Sequence, residues 1–219
     1  MTKPKILIIE NSVDVTGALK SITRTAFDLA SFFQFNFVIP KNSKGRVRLE
    51  ANGFSTIELP MRELAKRFSS MLLYLPFLAI NSFRLNRIAN AQSVDLIHVN
   101  DVYNLLPVAI HLLGNSTPYV CHIRFLPDRF PTPLLKFWLM LHFRFAERIV
   151  VVSQKVKHQL PAHPKIIVIH DQLPMEERYP YLSAGLSPKN NYTFLYLSNF
   201  MEGKGQAFAL KAFSTVHNK

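Results

Sequence analysis

The sequence holds a single cysteine and lacks both a secretion signal and any apolar run long enough to cross a bilayer. Cys121 is the one cysteine in 219 residues, so no disulfide can form within the chain and a reducing compartment is expected. The longest apolar stretches, 71–80 and 134–143, fall well short of the roughly 20 apolar residues that a spanning helix needs. The N-terminus has no long apolar core followed by a cleavage site. We therefore expect a cytoplasmic protein.

Acidic residues are also scarce. The chain has 14 Asp and Glu against 26 Lys and Arg, which gives a formal net charge of +12 at pH 7. Such an excess predicts an anionic partner, either nucleotide phosphates, acidic lipid, an acidic glycan or nucleic acid. Because the sequence has no RNP signature and no zinc finger, we expect that nucleic acid is not the partner.

Several catalytic motifs are missing as well. The sequence has no G-x-G-x-x-G, which disfavours an ordinary NAD-type site. It has no H-E-x-x-H, no paired C-x-x-C and no G-x-S-x-G, so neither a metal site nor a serine hydrolase is indicated. We expect no metal and no cofactor.

Short apolar runs are the main feature that the sequence does contain. They are nearly continuous in apolar residues, as in strands that are buried on both faces of a parallel sheet, and they lie at 5–9, 35–40, 55–60, 95–100, 119–124, 148–153, 165–170 and 193–199. Helical patterns alternate with them, the clearest being the apolar stripe of Leu19, Ile22, Ala26, Leu29 and Phe33 after Gly17. This alternation predicts an α/β fold with a Rossmann-like, doubly wound parallel sheet.

The texture of the sequence changes after the seventh run. Residues 171–191 contain several prolines and few periodic apolar positions, which is typical of a linker between domains. We therefore predict a first domain over 1–170, a linker over 171–191, and the start of a second domain over 192–219. Because 192–219 reads as one strand, one loop and one helix, we expect this second domain to be incomplete.

Polar residues follow the predicted strands, and ligands of doubly wound sheets bind at that edge. The candidates for the cleft are Asn11, Gly17, Asp101, His122, Arg124 and Ser153. Each could instead end a strand or cap a helix, and Asp101 and Ser153 suit capping well. An imidazole at His122 could hydrogen-bond or exchange protons near neutral pH, or it could be a satisfied core histidine. We expect His98, which precedes its strand's end, to be structural.

The segment 131–148 predicts a helix with large apolar side chains and a basic edge. It could be a buried, sheet-covering helix, or a surface helix that rests on anionic lipid. Further basic groups occur at 41–48 and 62–87. Such clusters would suit a lipid-linked acceptor at an anionic membrane surface, although runs of charge more often form a solvated face.

Five segments, taken in order, resemble the motifs of family-4 glycosyltransferases. They are "DLIHVND", "TPYVCHIRF", "AERIVVVSQKVKHQL", "KIIVIHDQLPMEERYP" and "LYLSNFMEGKGQAFALKAF". The resemblance implies a GT-B fold, in which two Rossmann-like domains face each other across a nucleotide-sugar cleft. On this basis the chain comprises the N-terminal, acceptor-side domain and the first βα unit of the donor domain.

The resemblance also implies roles for individual residues. Gly17 would face the donor diphosphate, Lys204 would neutralise it, and His122 would lie near the transferred sugar. Asn199 stands where the family usually has arginine and Ser198 where it has glycine, so the donor side departs from the pattern. The segment "HDQL" likewise departs from the family's interdomain element.

The implied activity is transfer of a sugar, with retention, from a nucleotide-diphosphate sugar to a glycan or lipid-linked acceptor. The partners are then a nucleotide sugar, a glycan or glycolipid and an anionic membrane surface, with a cytoplasmic location at the inner face of the membrane. We expect the 219-residue chain to be inactive alone. Two alternatives stay open, namely a GT-B-like nucleotide-sugar epimerase and a non-catalytic basic module that binds a membrane.

Overall fold

A computed structural model describes residues 2–62, 68–127, 131–171, 194–198 and 204–217. The chain divides into two compact units, Met1–Pro174 and Met175–Lys219. Within the described residues, none of the helices is both long and apolar enough to cross a membrane.

The first unit is built on a seven-stranded sheet in which every neighbouring pair is parallel. The strands are β1 (Lys5–Glu10), β2 (Gln34–Pro40), β3 (Ser55–Leu59), β4 (Leu96–Asn100), β5 (Tyr119–Ile123), β6 (Arg148–Val151) and β7 (Ile166–Val168). Their order is β3-β2-β1-β4-β5-β6-β7, so the chain starts in the middle of the sheet and winds outward twice. This arrangement confirms the predicted fold class, and the first seven predicted runs all form strands.

Six helices connect these strands. They are α1 (Gly17–Asp28), α2 (Gly45–Ala51), α3 (Phe68–Gln92), α4 (Leu106–Leu112), α5 (Thr132–Phe145) and α6 (Gln154–His158). The apolar stripe predicted for the first helix is buried at Leu19, Ile22 and Ala26, but α1 ends at Asp28, so Leu29 caps it and Phe33 lies beyond it. α5 lies in the segment 131–148, for which the sequence left open a buried helix and a surface helix. Its buried residues are Leu135, Trp138, Leu139 and His142.

One face of the sheet is covered by α3, α4 and α5. Because side chains alternate along a strand, Leu7 and Ile9 of β1 share this face with Ile97 of β4 and Cys121 of β5, all fully buried. α3 packs against α4, and α4 packs against α5. The three helices therefore form one layer over the larger of two cores.

The other face is covered by α1 and α2 over β1, β2 and β3, where Ile8, Phe37 and Leu49 form a second core. Over β4 to β7 the same face lines a cavity of about 470 Å³ that opens beside α1. Its lining includes Ser21 and Thr25 of α1 and the sheet residues His98, His122 and Val150. The strand register explains this, since Ile8 lies beside His98 and His122 lies beside Val150.

Gly45 lets α2 approach α1 closely, and replacing it is expected to destabilise the first unit. A Cβ at Gly45 would lie 2.4 Å from Cδ2 of Leu19, a fully buried side chain. We expect Gly45→Ala to lower the free energy of unfolding by about 1–2 kcal/mol, because overpacking costs about 1–3 kcal/mol and alanine's helix propensity returns up to about 1 kcal/mol. Urea unfolding measures it. Gly17→Ala is the matched control, since a Cβ there meets nothing within 4 Å; equal losses in both variants would contradict the packing argument.

In the second unit the structure describes two pieces, 194–198 and the helix α7 (Gln206–His217). The predicted eighth strand is wrong for 194–198, which form no strand. A strand is defined by hydrogen bonds to a neighbour, and the described residues of this unit include no neighbouring strand. Phe194 packs edge-on against Phe213 of α7 at 5.7 Å between ring centroids. The domain bounds predicted from the sequence stay a prediction.

Candidate active site

The carboxyl ends of β1, β4 and β5 carry a buried polar network. Glu10 ends β1 and is fully buried, and one carboxylate oxygen accepts hydrogen bonds from the Ser12 hydroxyl (2.7 Å) and from the backbone N–H groups of Ser12 and Asn11. Its other oxygen accepts a hydrogen bond from Nδ2 of Asn100, the last residue of β4. Glu10 was not among the residues predicted from the sequence, although an acidic residue at the end of an otherwise apolar strand is a usable signal.

Arg124, which follows β5, joins this network to the start of the predicted linker. Its Nε donates to Oδ1 of Asn100 at 2.7 Å, and Nη1 donates to the Ser21 hydroxyl at 3.0 Å and to Asp171 at 2.5 Å. The Arg124 side chain is 6% exposed. The guanidinium is thus held by Asn100 of β4, Ser21 of α1 and Asp171 after β7, so its position is fixed before any ligand arrives.

His122 lies beside Arg124 and is nearly buried. Nη2 of Arg124 and Nδ1 of His122 are 3.2 Å apart, and because a guanidinium can only donate, Nδ1 accepts and the ring proton sits on Nε2. Burial, reinforced by the charges of Arg124 and His98, lowers the pKa of His122 to about 2. The imidazole is therefore neutral at physiological pH. Among the described residues, Nε2 has no hydrogen-bond partner, so its N–H is a free, oriented donor.

His98 is a neighbour of His122 and not an isolated core residue. The two rings lie 5.4 Å apart between centroids, and both line the cavity beside α1. Burial lowers the pKa of His98 to about 4. Its Nε2 also lacks a partner within the described ranges. The cavity thus receives two neutral imidazoles.

Asp101 and Asn11 lie at the same edge, and Tyr103 accompanies them. Asp101 adopts φ 150°, a conformation that is unusual for a residue with a side chain. Burial, followed by the neighbouring charge of Glu10, raises the pKa of Asp101 to about 7, and the Tyr103 hydroxyl hydrogen-bonds to it. Asn11 follows β1 and is 2% exposed.

Of the two residues that the sequence suggested as helix caps, Ser153 caps a described helix and Asp101 does not. Ser153 does cap α6, since its hydroxyl accepts from the N–H of Val156 at 3.2 Å. Asp101 caps none of the described helices, because α4 begins later and Oδ1 of Asn104 accepts the N–H of Leu106 instead. Ser153 is half-buried after β6, and none of its hydrogen bonds reaches the Arg124 network.

The structure describes two of the three residues that were assigned to the donor side. Gly17 is exposed at the first position of α1, and Thr16 caps the helix by accepting the N–H of Leu19 at 3.1 Å. Lys204 is exposed in the second unit, just before α7. Asn199 lies outside the described residues.

A parallel sheet in this order places the first unit in the class of Rossmann-like, doubly wound domains. The sequence model of Glycosyltransferase Family 4 matches residues 46–176, which is more than half of the chain. The chain belongs to glycosyltransferase family 4, as the motif resemblance implied. No curated protein matches it significantly.

Solved structures share the fold. Anabaena HepE in complex with UDP and glucose is 18% identical, with a TM-score of 0.58 over 78% of this chain and 45% of that chain. A glycosyltransferase from Rickettsia africae is 16% identical, with a TM-score of 0.58 over 78% and 43%. A putative UDP-N-acetylglucosamine 2-epimerase from Listeria monocytogenes is 15% identical, with a TM-score of 0.50 over 75% and 44%. The chain thus spans less than half of these proteins, and the likeness concerns the fold alone.

Proposed function

We propose that the first unit is the acceptor-side domain of a retaining glycosyltransferase that moves a sugar from a nucleotide-diphosphate sugar to a glycan or lipid-linked acceptor. The observation that carries this proposal is the neutral imidazole of His122, oriented by Arg124 at the carboxyl edge of the sheet. Its Nε2–H is suited to hydrogen-bond a hydroxyl of the transferred sugar near the reaction centre. Such a donor would hold the sugar in position without giving up its proton.

The proposed donor complex uses the start of α1. The positive end of a helix dipole and its free N–H groups favour a phosphate, and the open surface at Gly17 lets a diphosphate approach the backbone. Lys204 would add a cation to the leaving diphosphate, and Asn199 would stand in for the arginine that the family usually has. UDP-glucose is the first donor to test, because HepE was solved with UDP and glucose.

The experiment is a transfer assay on the gene product that contains these residues. It should convert UDP-sugars only when a glycan or lipid-linked acceptor is present, and NMR of the product should show the anomeric configuration of the donor. Interconversion of free nucleotide sugars without an acceptor would support the epimerase instead. Inversion of the anomeric centre would refute retention. If none of the donors tested is turned over, the result favours neither enzyme.

We propose that the 219-residue chain by itself has little or no turnover. In a two-domain site both domains supply groups and exclude water, and this chain spans under half of the related solved chains. We also propose a cytoplasmic location beside a membrane, since a lipid-linked acceptor would be met there. Robust transfer by the 219-residue chain would contradict the two-domain argument.

Replacing Gly17 should separate donor binding from stability. In the gene product, Gly17→Ala is expected to raise the KM for the nucleotide sugar about ten-fold, because a Cβ would stand where the phosphate approaches the backbone. The melting temperature should not fall, since the added Cβ meets nothing within 4 Å and alanine is the better helix former. Steady-state kinetics and a thermal melt measure both. An unchanged KM would remove Gly17 from the donor site.

A further inference from the structure

The layer formed by α3, α4 and α5 has an unusual charge distribution. The three helices contain no Asp or Glu, although they contain Arg84, Arg87, Lys136 and Arg144. All four of these cations are exposed. Among the described residues none of them forms an ion pair. All the charged side chains that these three helices contribute to the outer face are therefore cations.

The same outer face exposes large apolar side chains on every helix of the layer. The exposed fractions are 60% for Leu75, 62% for Phe83, 70% for Leu112, 49% for Phe137 and 57% for Met140. The inward side chains of these helices already pack in the larger core, so the fold does not need the exposed apolar groups for its packing. Large apolar groups spread over several adjoining elements mark an interaction surface more often than single exposed ones do.

The α1–α2 side of the molecule provides a contrast. It also exposes apolar groups such as Val47, but acidic residues lie among its cations, namely Asp14 before α1, Asp28 in α1 and Glu50 in α2. Lys44 pairs with Asp14 at 2.7 Å, and Arg46 pairs with Glu50 at 2.7 Å. Apolar exposure alone therefore does not distinguish the two sides, whereas the lack of acidic residues in α3, α4 and α5 does.

We propose that the outer face of the α3–α5 layer is a docking surface for an anionic lipid bilayer. Unmatched cations are attracted to the negative surface potential, and apolar side chains between them enter the headgroup region. A second copy of the chain is a poor occupant, because two faces with cations and no acids repel each other. The inference does not depend on the proposed transfer reaction, since it needs only the folded first unit.

The test is co-sedimentation of the 219-residue chain with vesicles at about 0.1 M ionic strength. Vesicles of phosphatidylglycerol and phosphatidylcholine should bind it, and vesicles of phosphatidylcholine alone should not. Arg84→Gln with Arg87→Gln should weaken binding about 10- to 30-fold, because each basic residue near an anionic surface strengthens binding about three- to five-fold. Phe83→Ser with Phe137→Ser should also weaken binding, and its relative effect should be larger in high salt, where the electrostatic attraction is screened.

Matched variants on the opposite side locate the surface. Lys41→Gln with Arg48→Gln removes the same charge from exposed positions near α2, and Val47→Ser removes an exposed apolar group there. Both should leave vesicle binding within about two-fold of the parent. The fluorescence of Trp138, which is 3% exposed, shows that each variant is folded.

Three results would overturn the proposal. The first is an equal loss of binding in the two charge-matched variants, which would reduce the effect to net charge. The second is equal binding to neutral and anionic vesicles. The third is a dimer that forms without lipid and is dissociated by Phe137→Ser, which would make this face an interface between copies of the chain.

Discussion

Turnover of the gene product is expected to fall about 10²- to 10³-fold when His122 is replaced by alanine, which is the usual effect of removing one positioned donor from a reaction centre. The reason is the geometry at Nδ1. Arg124 occupies that nitrogen, so the Nε2–H is the one donor that the ring can offer to a sugar. Loss of this donor should lower kcat more than it raises KM.

The same prediction specifies a pH profile. Because burial lowers the pKa of His122 to about 2, its imidazole stays neutral across the working range and cannot serve as a proton-donating imidazolium. Turnover should therefore show no limb near pH 6.5 that disappears in His122→Ala. Such a limb would mean that the ring transfers protons, and that its environment during catalysis differs from the one described here.

Two further variants separate catalysis from folding. His122→Gln retains an amide N–H near the position of Nε2, so it should recover part of the lost turnover. His98→Gln changes the neighbouring imidazole, which lies inside β4, and should cost no more than a few-fold. If His122→Ala lowers the melting temperature while the folded fraction turns over normally, His122 is a structural residue and the site assignment fails.

Acidification is expected to destabilise the first unit strongly between pH 6.5 and pH 4. Burial is the main cause that lowers the pKa values of His98 to about 4, of His122 to about 2 and of His142 to about 4. These folded-state values lie below the ordinary 6.5, so the unfolded chain takes up three protons in this window that the folded protein does not. Stability gained by keeping these rings neutral is present above pH 6.5 and is lost as the pH falls.

One buried carboxyl works in the opposite direction. The pKa of Asp101 is raised to about 7, so the folded protein holds a proton that the unfolded chain releases until the pH approaches about 3.8. The net uptake on unfolding therefore approaches two protons below pH 6, which corresponds to roughly 3 kcal/mol per pH unit. Because histidines of the unfolded chain are only half protonated at pH 6.5, lowering the pH from 6.5 to 5 should remove about 3 kcal/mol.

Urea unfolding at pH 7, 6, 5.5 and 5 measures this dependence, and its slope counts the protons. His142 is a useful variant because it is fully buried between Tyr119 and the carbonyl of Val102, away from the proposed site. His142→Gln should reduce the slope by about one proton, even though it also lowers the stability at pH 7. A free energy of unfolding that is constant over this range would show that the three imidazoles are not kept neutral by burial.

The secondary structure of the first unit could be predicted because its strands are buried on both faces. Seven continuous apolar runs were sufficient to indicate a parallel sheet, and the strand order then followed the usual winding. The eighth run was misjudged for a related reason. Its composition is that of a strand, but pairing with a neighbour decides whether a strand forms, and composition carries no information about a neighbour.

The location of the candidate residues in the fold could be predicted from the sequence, but their hydrogen-bond partners could not. Asn11, Asp101, His122 and Arg124 do lie at the carboxyl edge, because strand ends in a parallel sheet converge there. Glu10 was missed because its partner Asn100 is 90 positions away. Likewise Arg124 and Asp171 are 47 positions apart, so only the fold reveals that they form an ion pair. Local sequence shows which polar groups are present, whereas their pairing depends on topology.

Cys121 gives the molecule a built-in reporter of its own opening. The thiol lies in the middle of β5 with no exposed surface, between Val99 and Ile149 on the neighbouring strands. Burial raises the pKa of this thiol well above its usual value, so alkylating reagents reach a reactive thiolate only when the central sheet separates. With one cysteine in the chain, each adduct detected by mass spectrometry counts a single opening event. Where the sheet closes faster than the reagent reacts, the labelling half-life under native conditions reports the free energy of opening, and any ligand that binds the folded state should lengthen it.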